Sequence, residues 1–156
     1  MIVLQLNEKI KIRPLIFADL NNLKKIRDSV LDKIHNSTSF SLKQTQEWFL
    51  CERPYYLSIF YDNDYMGYFR LSNFKTNSCY VGLDLKKSYR GKGYGFFLYL
   101  KILEELNKIG INFFLLKVKK NNDIAIKLYE KIGFTLSNKN KIDADDFLFE
   151  LDLSKS

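Results

Sequence analysis

The sequence predicts a single α/β (α+β) domain over residues 1–156, with a mixed, mostly antiparallel central sheet of about six to seven strands and about four flanking helices. Short runs in which apolar and polar residues alternate are typical of strands, and they dominate the first half. Other segments repeat their apolar residues at helical intervals. No internal repeat or Ser/Gly-rich stretch divides the chain, and 46% of its residues are hydrophobic, so one folded core is expected rather than disorder.

The first half is predicted to contain one strand, two helices and then three further strands. Pro14 ends the first strand, and Ser41 suits the cap of the second helix, with Trp48 and Phe49 facing inward. Short turns join the last three strands, which predicts an antiparallel meander. The predicted strands are Ile10–Leu15, Tyr55–Tyr61, Tyr65–Asn73 and Ser78–Leu85, and the predicted helices are Asp19–Leu31 and Ser39–Leu50.

The second half begins with a glycine-rich loop, Tyr89–Gly95, which leads directly into a helix that Gly110 ends. A nearly continuous apolar strand over residues 111–118 fits the interior of a sheet. A second helix follows, capped by Asn121 or Asn122 and closed by Gly133, before two final strands over 134–136 and 147–151. The apolar residues expected to face the core from the first of these helices are Phe96, Leu100, Leu103, Leu106 and Ile109.

The formal net charge is +7, carried by 20 lysines but only 5 arginines. Arginine is the residue favoured for bidentate contacts with phosphates and bases, and it is scarce here. The surplus is therefore interpreted as solubilising surface charge, and no nucleic-acid partner is expected. A basic nucleic-acid-binding module stays as a less favoured alternative.

Two cysteines and one histidine argue against a zinc site, a disulfide framework and a Ser-His-Asp triad, so no metal is expected. No apolar run approaches the roughly 20 residues of a membrane span. The first twelve residues include Glu8, Lys9 and Lys11, whereas a signal peptide is continuously apolar there. A cytoplasmic protein with free thiols and no membrane partner is expected.

The loop Arg90–Gly95 has the composition of a phosphate-binding loop. Glycines let the backbone approach a ligand closely, and free amides at a helix N-terminus attract anions, so a pyrophosphate is the natural guest. The ATPase phosphate loop is excluded because Tyr94 follows Gly93 where that motif needs lysine. A dinucleotide fold is disfavoured because antiparallel strands precede the loop, and because lysines rather than an acidic residue follow the next strand.

Two motifs resemble one protein family. The first, Arg90-x-x-Gly93-x-Gly95, matches the Gln/Arg-x-x-Gly-x-Gly/Ala signature of the GNAT superfamily of acetyl-CoA-dependent N-acetyltransferases. The second is Asn122-x-x-Ala125-x-x-Leu128-Tyr129-x-x-x-Gly133-Phe134, which is similar to the second half of the family pattern and lies at the expected distance. The predicted order of elements is also similar to that of the family over nearly the whole chain.

The resemblance implies that acetyl-CoA is the cofactor and assigns residues to its parts. The strand before the glycine loop separates from its neighbour in this family and leaves backbone groups for the pantetheine arm. The implied pyrophosphate residues are Arg90, Gly91, Lys92, Gly93, Tyr94 and Gly95, and the implied pantetheine residues are Leu83, Asp84, Leu85, Asn122 and Ala125.

Catalytic roles follow from the same resemblance. Tyr129 occupies the place of the general acid that protonates the departing thiolate, and the alternative is that it packs beside Ala125 and Ile132. Many members carry a glutamate as general base on the strand before the loop, but Ser78–Asp84 contains none. Asp84 is the only carboxylate there and is the catalytic candidate, and its alternative is a backbone or turn role. Cys79 is expected to be a buried thiol rather than a covalent carrier.

Four residues are candidates for acceptor binding: Arg27, His35, Trp48 and Tyr80. His35 is alternatively a surface residue, and Trp48 a core residue. The first two helices resemble those of bacterial enzymes that acetylate amino-sugar nucleotides and of those that acetylate ribosomal-protein N-termini. A small-molecule amine acceptor, such as an amino-sugar nucleotide, is preferred over a protein terminus. A non-catalytic acyl-CoA-binding module is the alternative of another class, and because many family members dimerise, a homodimer is left open.

Overall fold

The computed structural model describes residues 2–31, 38–138 and 145–154. Its strands are β1 (Leu4–Gln5), β2 (Ile10–Pro14), β3 (Leu57–Tyr61), β4 (Asp64–Ser72), β5 (Ser78–Leu85), β6 (Phe113–Lys119), β7 (Thr135–Leu136) and β8 (Asp146–Asp152), and its helices are α1 (Leu20–Asp28), α2 (Leu42–Glu52), α3 (Tyr94–Lys108) and α4 (Asp123–Ile132). The strands form one sheet in the order β1-β2-β3-β4-β5-β6-β8-β7, in which only β5 and β6 pair in parallel. Within the described ranges no helix is long and apolar enough to cross a membrane.

This architecture confirms the predicted mixed sheet with four helices, although the described residues contain eight strands rather than six to seven. The additional strand is β1. It has only two residues, Leu4 and Gln5, which pair with Ile12 and Lys11. A run this short has no alternation to detect, so only the pairing with β2 identifies it as a strand.

Local capping fixes the helix boundaries. The Ser41 hydroxyl accepts a hydrogen bond from the Gln44 amide at 3.1 Å, and the Gln44 side chain accepts one from the Ser41 amide at 2.8 Å. This reciprocal pair is a capping box at the start of α2, where Ser41 was expected as the cap. At the start of α4, Asn122 is the cap, and its side-chain oxygen accepts from the Ala125 amide at 3.3 Å.

The predicted core face of α3 is partly wrong. Leu103 and Leu106 are buried as expected and Phe96 is half-buried, but Leu100 and Ile109 are 41% and 64% exposed. The helix carries apolar residues on more than one side, so spacing alone does not select the side that packs against the sheet. The side chains of α3 that are buried are Leu98, Tyr99, Ile102, Leu103 and Leu106.

Helices cover both faces of the sheet, so residues of one strand can contact different helices depending on the face to which they point. Alternate side chains of β5 point to opposite faces, so that Cys79 and Val81 join the larger core with α3, whereas Gly82 and Asp84 face α1 and α2. The two helical layers therefore lie on opposite sides of the strand that leads into the glycine loop. A smaller core beneath α1 and α2 is built from Leu15, Leu20, Leu23, Ile26, Tyr65 and Tyr68.

A largely buried ion pair ties β2 to the start of α1. Arg13 donates to both carboxylate oxygens of Asp19, at 2.7 and 2.9 Å, and the Ser58 hydroxyl donates to Asp19 at 2.8 Å. Burial opposes ionisation of Asp19, but the hydrogen bonds from Arg13, the Ile16 amide and Ser58 outweigh it and lower its pKa. The carboxylate therefore stabilises the folded state at neutral pH.

We expect Asp19→Ala to lower the free energy of unfolding at pH 7 by about 2 kcal/mol, less than for a fully enclosed pair because Arg13 is partly exposed. The pKa of Asp19 is lowered in the folded state, so its contribution is present above the unfolded value of 3.8 and is lost as pH falls through the folded value. The loss is thus expected to be smaller at pH 3, and urea unfolding at both pH values measures it. Glu52→Ala, at an exposed acid, is the control, and an equal loss in both variants would contradict the prediction.

Candidate functional site

The two parallel strands at the centre of the sheet separate along their length. β5 pairs with β6 only from Ser78 to Tyr80, opposite Phe113 to Leu115. Beyond Tyr80, β5 continues to Leu85 and pairs only with β4. A gap therefore opens beside residues 83–85, as the resemblance implied for the strand that receives a pantetheine arm.

The glycine loop presents unpaired backbone amides at the start of α3. Gly91 and Gly93 have φ angles of +71° and +85°, in the left-handed region that favours glycine. Among the described residues, no acceptor bonds to the amides of residues 91–96. These amides lie where the helix dipole adds partial positive charge. The loop therefore fits a pyrophosphate group.

The Arg90 side chain holds the loop in place. Its Nε donates to the Leu85 carbonyl at 2.8 Å, and its Nη2 donates to the Ser29 hydroxyl, just after α1, also at 2.8 Å. The guanidinium thus joins the end of β5 to the end of α1. Lys92 is exposed within the loop. The Tyr94 ring packs edge-on against Tyr61, with ring centroids 5.9 Å apart.

The start of α3 lies against α4. A Cβ atom on Gly95 would lie 3.2 Å from Leu128 Cδ2, so glycine lets the two helices approach closely here. The side-chain oxygen of Asn122 is used as the α4 cap through the Ala125 amide. Its side-chain NH2 group has no hydrogen-bond partner in the described part of the chain and can donate to a ligand amide.

Tyr129 lies half-buried on α4 within a cluster of aromatic rings. Its ring centroid is 5.7 Å from Tyr99, 6.0 Å from Phe134 and 6.5 Å from Phe149. Burial raises the pKa of Tyr129 above its ordinary value, and the neighbouring Tyr99 hydroxyl and the Arg70 charge partly oppose that rise. The phenol is therefore protonated at neutral pH and is able to donate a proton.

A cavity of about 430 Å³ lies on the opposite face of the sheet, between α1 and α2 on one side and β4 and β5 on the other. We name it the acceptor cavity. It includes three of the sequence-predicted residues, Arg27, Trp48 and Asp84. Its lining is completed by Leu23, Lys24, Asp28, Phe40, Gln44, Thr45, Tyr56, Tyr68 and Arg70.

Of the two other predicted acceptor residues, Tyr80 is not in this lining. Tyr80 lies on β5 before the strands separate, and the Lys117 ammonium lies 6.0 Å from the centre of its ring. His35 lies outside the described residues. Trp48 packs against the smaller core and also lines the cavity, with its ring centroid 5.2 Å from that of Tyr56. Its role in acceptor binding stays a prediction.

Arg70 and Asp84 form the charged part of the cavity floor. Arg70 Nε lies 3.4 Å from Asp84 Oδ2, and Asp84 is 8% exposed. Burial disfavours the Arg70 charge, but the Asp84 carboxylate raises the pKa of the guanidinium, so it stays cationic. Burial also raises the pKa of Tyr56 and Tyr68, so both phenols are neutral.

Sequence reasoning missed Tyr68, Gly82 and Tyr99. Alternation along β4 places Tyr68 on the same face as Arg70, and this signal was present in the sequence. Gly82 lies directly opposite Arg70 in the β4–β5 ladder, which only the strand register reveals. Tyr99 is 1% exposed, and its hydroxyl is enclosed beside the Tyr129 ring.

The two cysteines differ in reactivity, and we expect one thiol to react with Ellman's reagent in the native protein and two after unfolding. Cys51 is exposed, whereas Cys79 is buried and burial raises its pKa to about 12. A thiol that stays protonated is a poor nucleophile. Rapid reaction of two thiols in the folded state would contradict this, and would reopen a covalent role for Cys79.

Comparisons with known proteins identify a family and a shared fold for this chain. The family profile for the acetyltransferase (GNAT) family matches residues 20–134. None of the curated protein sequences matches the chain significantly.

Solved structures share the fold at low sequence identity. The chain is similar to yncA from Salmonella typhimurium with its cofactor acetyl-CoA, at 16% identity and a TM-score of 0.75 over 96% of each chain. It is also similar to a ribosomal-protein-alanine N-acetyltransferase from Brucella melitensis, at 19% identity and a TM-score of 0.74 over 91% of this chain and 99% of that one. A GNAT-family acetyltransferase from Bacillus anthracis gives 15% identity and a TM-score of 0.77 over 97% of this chain and 98% of that one.

The matched region contains both the glycine loop at the start of α3 and the Asn122-to-Phe134 motif, and the loop amides fit the pyrophosphate of the family's cofactor. The chain therefore belongs to the acetyltransferase (GNAT) family and is an acetyl-CoA-dependent acyltransferase.

Proposed function

We propose that the protein transfers an acetyl group to the primary amine of a small acceptor held in the acceptor cavity. The observation that carries this proposal is the position of Asp84. It lines the cavity on one face of β5, on the segment where β5 has separated from β6 beside the glycine loop. An amine held at Asp84 is thus next to the gap assigned to the pantetheine arm.

The residues proposed to hold acetyl-CoA are those that the resemblance assigned, with one correction in the loop: the Arg90 amide donates to the Lys87 carbonyl, and the Phe96 amide is added instead. The amides of residues 91–96 would bind the pyrophosphate, and the Asn122 NH2 group and the backbone of Leu83–Leu85 would bind the pantetheine arm. When bound, acetyl-CoA supplies the acetyl group as a thioester, whose carbon–sulfur bond breaks as the new amide bond forms.

Tyr129 is proposed as the general acid. Its phenol is protonated at neutral pH because burial raises its pKa, and it donates that proton to the leaving sulfur. Arg70 is close enough to oppose the rise in its pKa, so it also stabilises the phenolate that remains. The proton then returns from solvent.

Asp84 is proposed as the group that receives the amine and its proton. It is the only carboxylate of β5, and its side chain lies in the cavity beside Arg70 rather than in a turn. A carboxylate there attracts the ammonium form of the acceptor and accepts a proton as the amine attacks. It takes the place of the glutamate that many family members carry on this strand.

A thiol-release assay with acetyl-CoA tests the proposed function. The amines would be free amino acids, an amino-sugar nucleotide and peptides with free N-termini, and the mass gain of one acetyl group on the acceptor would identify the product. We expect CoA release with at least one small amine. The volume of the cavity, about 430 Å³, supports a small acceptor over an extended protein terminus.

Two outcomes would contradict the proposal. Acetyl-CoA binding without CoA release for any amine would make the protein a non-catalytic acyl-CoA-binding module. Turnover of peptides alone would favour an N-terminal protein acetyltransferase. Measuring acetyl-CoA binding separately, by calorimetry, distinguishes the first case from an inactive preparation.

A further inference from the structure

The charged residues of the acceptor cavity are not equally available to a ligand. On the α1 side, Lys24 forms an ion pair with Asp28, and Arg27 donates to the Thr38 carbonyl at 2.7 Å. On the floor, the Arg70 guanidinium makes no hydrogen bond to any residue in the described ranges, and its Nε is buried without a hydrogen-bond partner. It forms an ion pair with Asp84, in which Nε lies 3.4 Å from Oδ2.

The absence of a side chain at Gly82 makes room for the Arg70 guanidinium in this position. Arg70 and Gly82 are direct partners in the β4–β5 ladder. A Cβ atom at position 82 would lie 2.4 Å from Arg70 Nη2 and 2.5 Å from Arg70 Cζ. The guanidinium therefore lies flat against the backbone of β5, in space that any other residue would fill. Because no described residue accepts a hydrogen bond from it, its N–H donors are available to a ligand.

A planar guanidinium with unused donors binds a carboxylate through two parallel hydrogen bonds. Asp84 lies beside it and suits an ammonium group. Because these two groups are only 3.4 Å apart, a ligand that bridges them must carry its amine and its carboxylate on the same or neighbouring atoms. That arrangement is the α-amino acid unit.

The uncharged part of the lining is largely aromatic, and its two polar side chains from α2, Gln44 and Thr45, already bond to the Ser41 backbone. The rings of Tyr56 and Tyr68 stack with an interplanar angle of 6° and centroids 6.0 Å apart, and Trp48 and Phe40 add further ring surface. The lining contains three cations and two carboxylates, and two of the cations, Lys24 and Arg27, already have protein partners. The phosphate charges of a sugar nucleotide would therefore find little positive charge available to them. The lining suits an apolar side chain better.

We infer that the acceptor is a free apolar α-amino acid, with its carboxylate on Arg70, its amine at Asp84 and its side chain against Trp48 and Tyr56. This inference rests on the proposed function, because it identifies the acceptor of that same site. It assigns Arg70 as a specificity residue and Gly82 as the residue that makes room for its guanidinium.

Matched amines test the inference. The pairs are leucine with 3-methylbutylamine and phenylalanine with phenethylamine, which differ only by the carboxylate. We expect kcat/KM to be about 30-fold higher for the amino acid of each pair, the range of a charge-assisted bidentate contact. Arg70→Gln is expected to reduce that preference to near one, Arg70→Lys to retain part of it, and Arg53→Gln, at an exposed arginine outside the cavity, to retain all of it.

Binding is read independently of turnover through Trp48, the only tryptophan of the chain, whose ring lines the cavity. Leucine is expected to change its fluorescence saturably, and 3-methylbutylamine to do so only at much higher concentration. Equal affinity and equal rates within each pair would overturn the inference and leave the proposed function intact. If no amine is acetylated, the proposed function fails, and the fluorescence titration of wild type and Arg70→Gln alone decides whether the carboxylate site exists.

Discussion

Tyr129→Phe is expected to lower kcat about 100-fold at neutral pH, the usual scale for loss of a general acid. The change removes one hydroxyl and keeps the ring, so the contacts with Tyr99 and Phe134 persist. The KM for acetyl-CoA is expected to stay within about threefold, because the proposed proton transfer serves the reaction rather than ground-state binding. Steady-state kinetics of CoA release measure both constants.

Tyr99→Phe is the matched control for this prediction. It removes the same atom from the neighbouring ring, but the Tyr99 hydroxyl is enclosed and Tyr99 is 1% exposed, so we expect it not to reach the bound substrates. The Tyr99 hydroxyl lowers the pKa of Tyr129, so its loss leaves the Tyr129 phenol protonated at neutral pH, and kcat is expected to fall far less than in Tyr129→Phe. A Tyr129→Phe variant that loses acetyl-CoA affinity but keeps its rate would refute the acid role.

The pH dependence gives a second check on Tyr129. A general acid works in its protonated form, and burial raises the pKa of this phenol above the ordinary tyrosine value of 10.0. Deprotonation therefore occurs only above that value, and kcat is expected to show no alkaline loss below about pH 10. A fall in kcat centred near pH 8 would assign the acid to a different group.

The parts of the site that the sequence predicted are those fixed by local structure. The cap at Asn122 and the positive φ angles at Gly91 and Gly93 depend on residues a few positions away, so short motifs report them. The same motif points to Tyr129, which lies about two turns along the helix that Asn122 caps.

The parts that the sequence did not predict depend on distant residues. The packing of Arg70 against Gly82 requires the register between β4 and β5, and neither residue is unusual by itself. The motif assigns Arg90 to the pyrophosphate loop, but it says nothing of the bond from its guanidinium to Ser29, which is 61 positions away in the chain. Long-range placement of this kind has no signature in a single sequence, and this is why the acceptor side was predicted less completely than the cofactor side.

Gly93→Ala is expected to weaken acetyl-CoA binding about 10-fold, because each lost hydrogen bond to a charged group is worth about 1.5–3 kcal/mol. Gly93 has a φ of +85° immediately before α3, and an alanine there favours a different backbone conformation, which would turn the loop amides away from the pyrophosphate. A Cβ atom at this position meets no other atom within 4 Å, so the effect is conformational rather than a steric clash.

Gly110→Ala separates this effect from a general loss of stability. Gly110 also has a positive φ, +95°, and a Cβ atom added there would meet nothing within 4 Å, but it follows the opposite end of α3. Both variants are expected to lower the free energy of unfolding by about 1 kcal/mol, the usual cost of alanine in the left-handed region. Only Gly93→Ala is expected to raise the Kd for acetyl-CoA in calorimetry. Equal affinities in the two variants would show that the loop amides do not hold the cofactor.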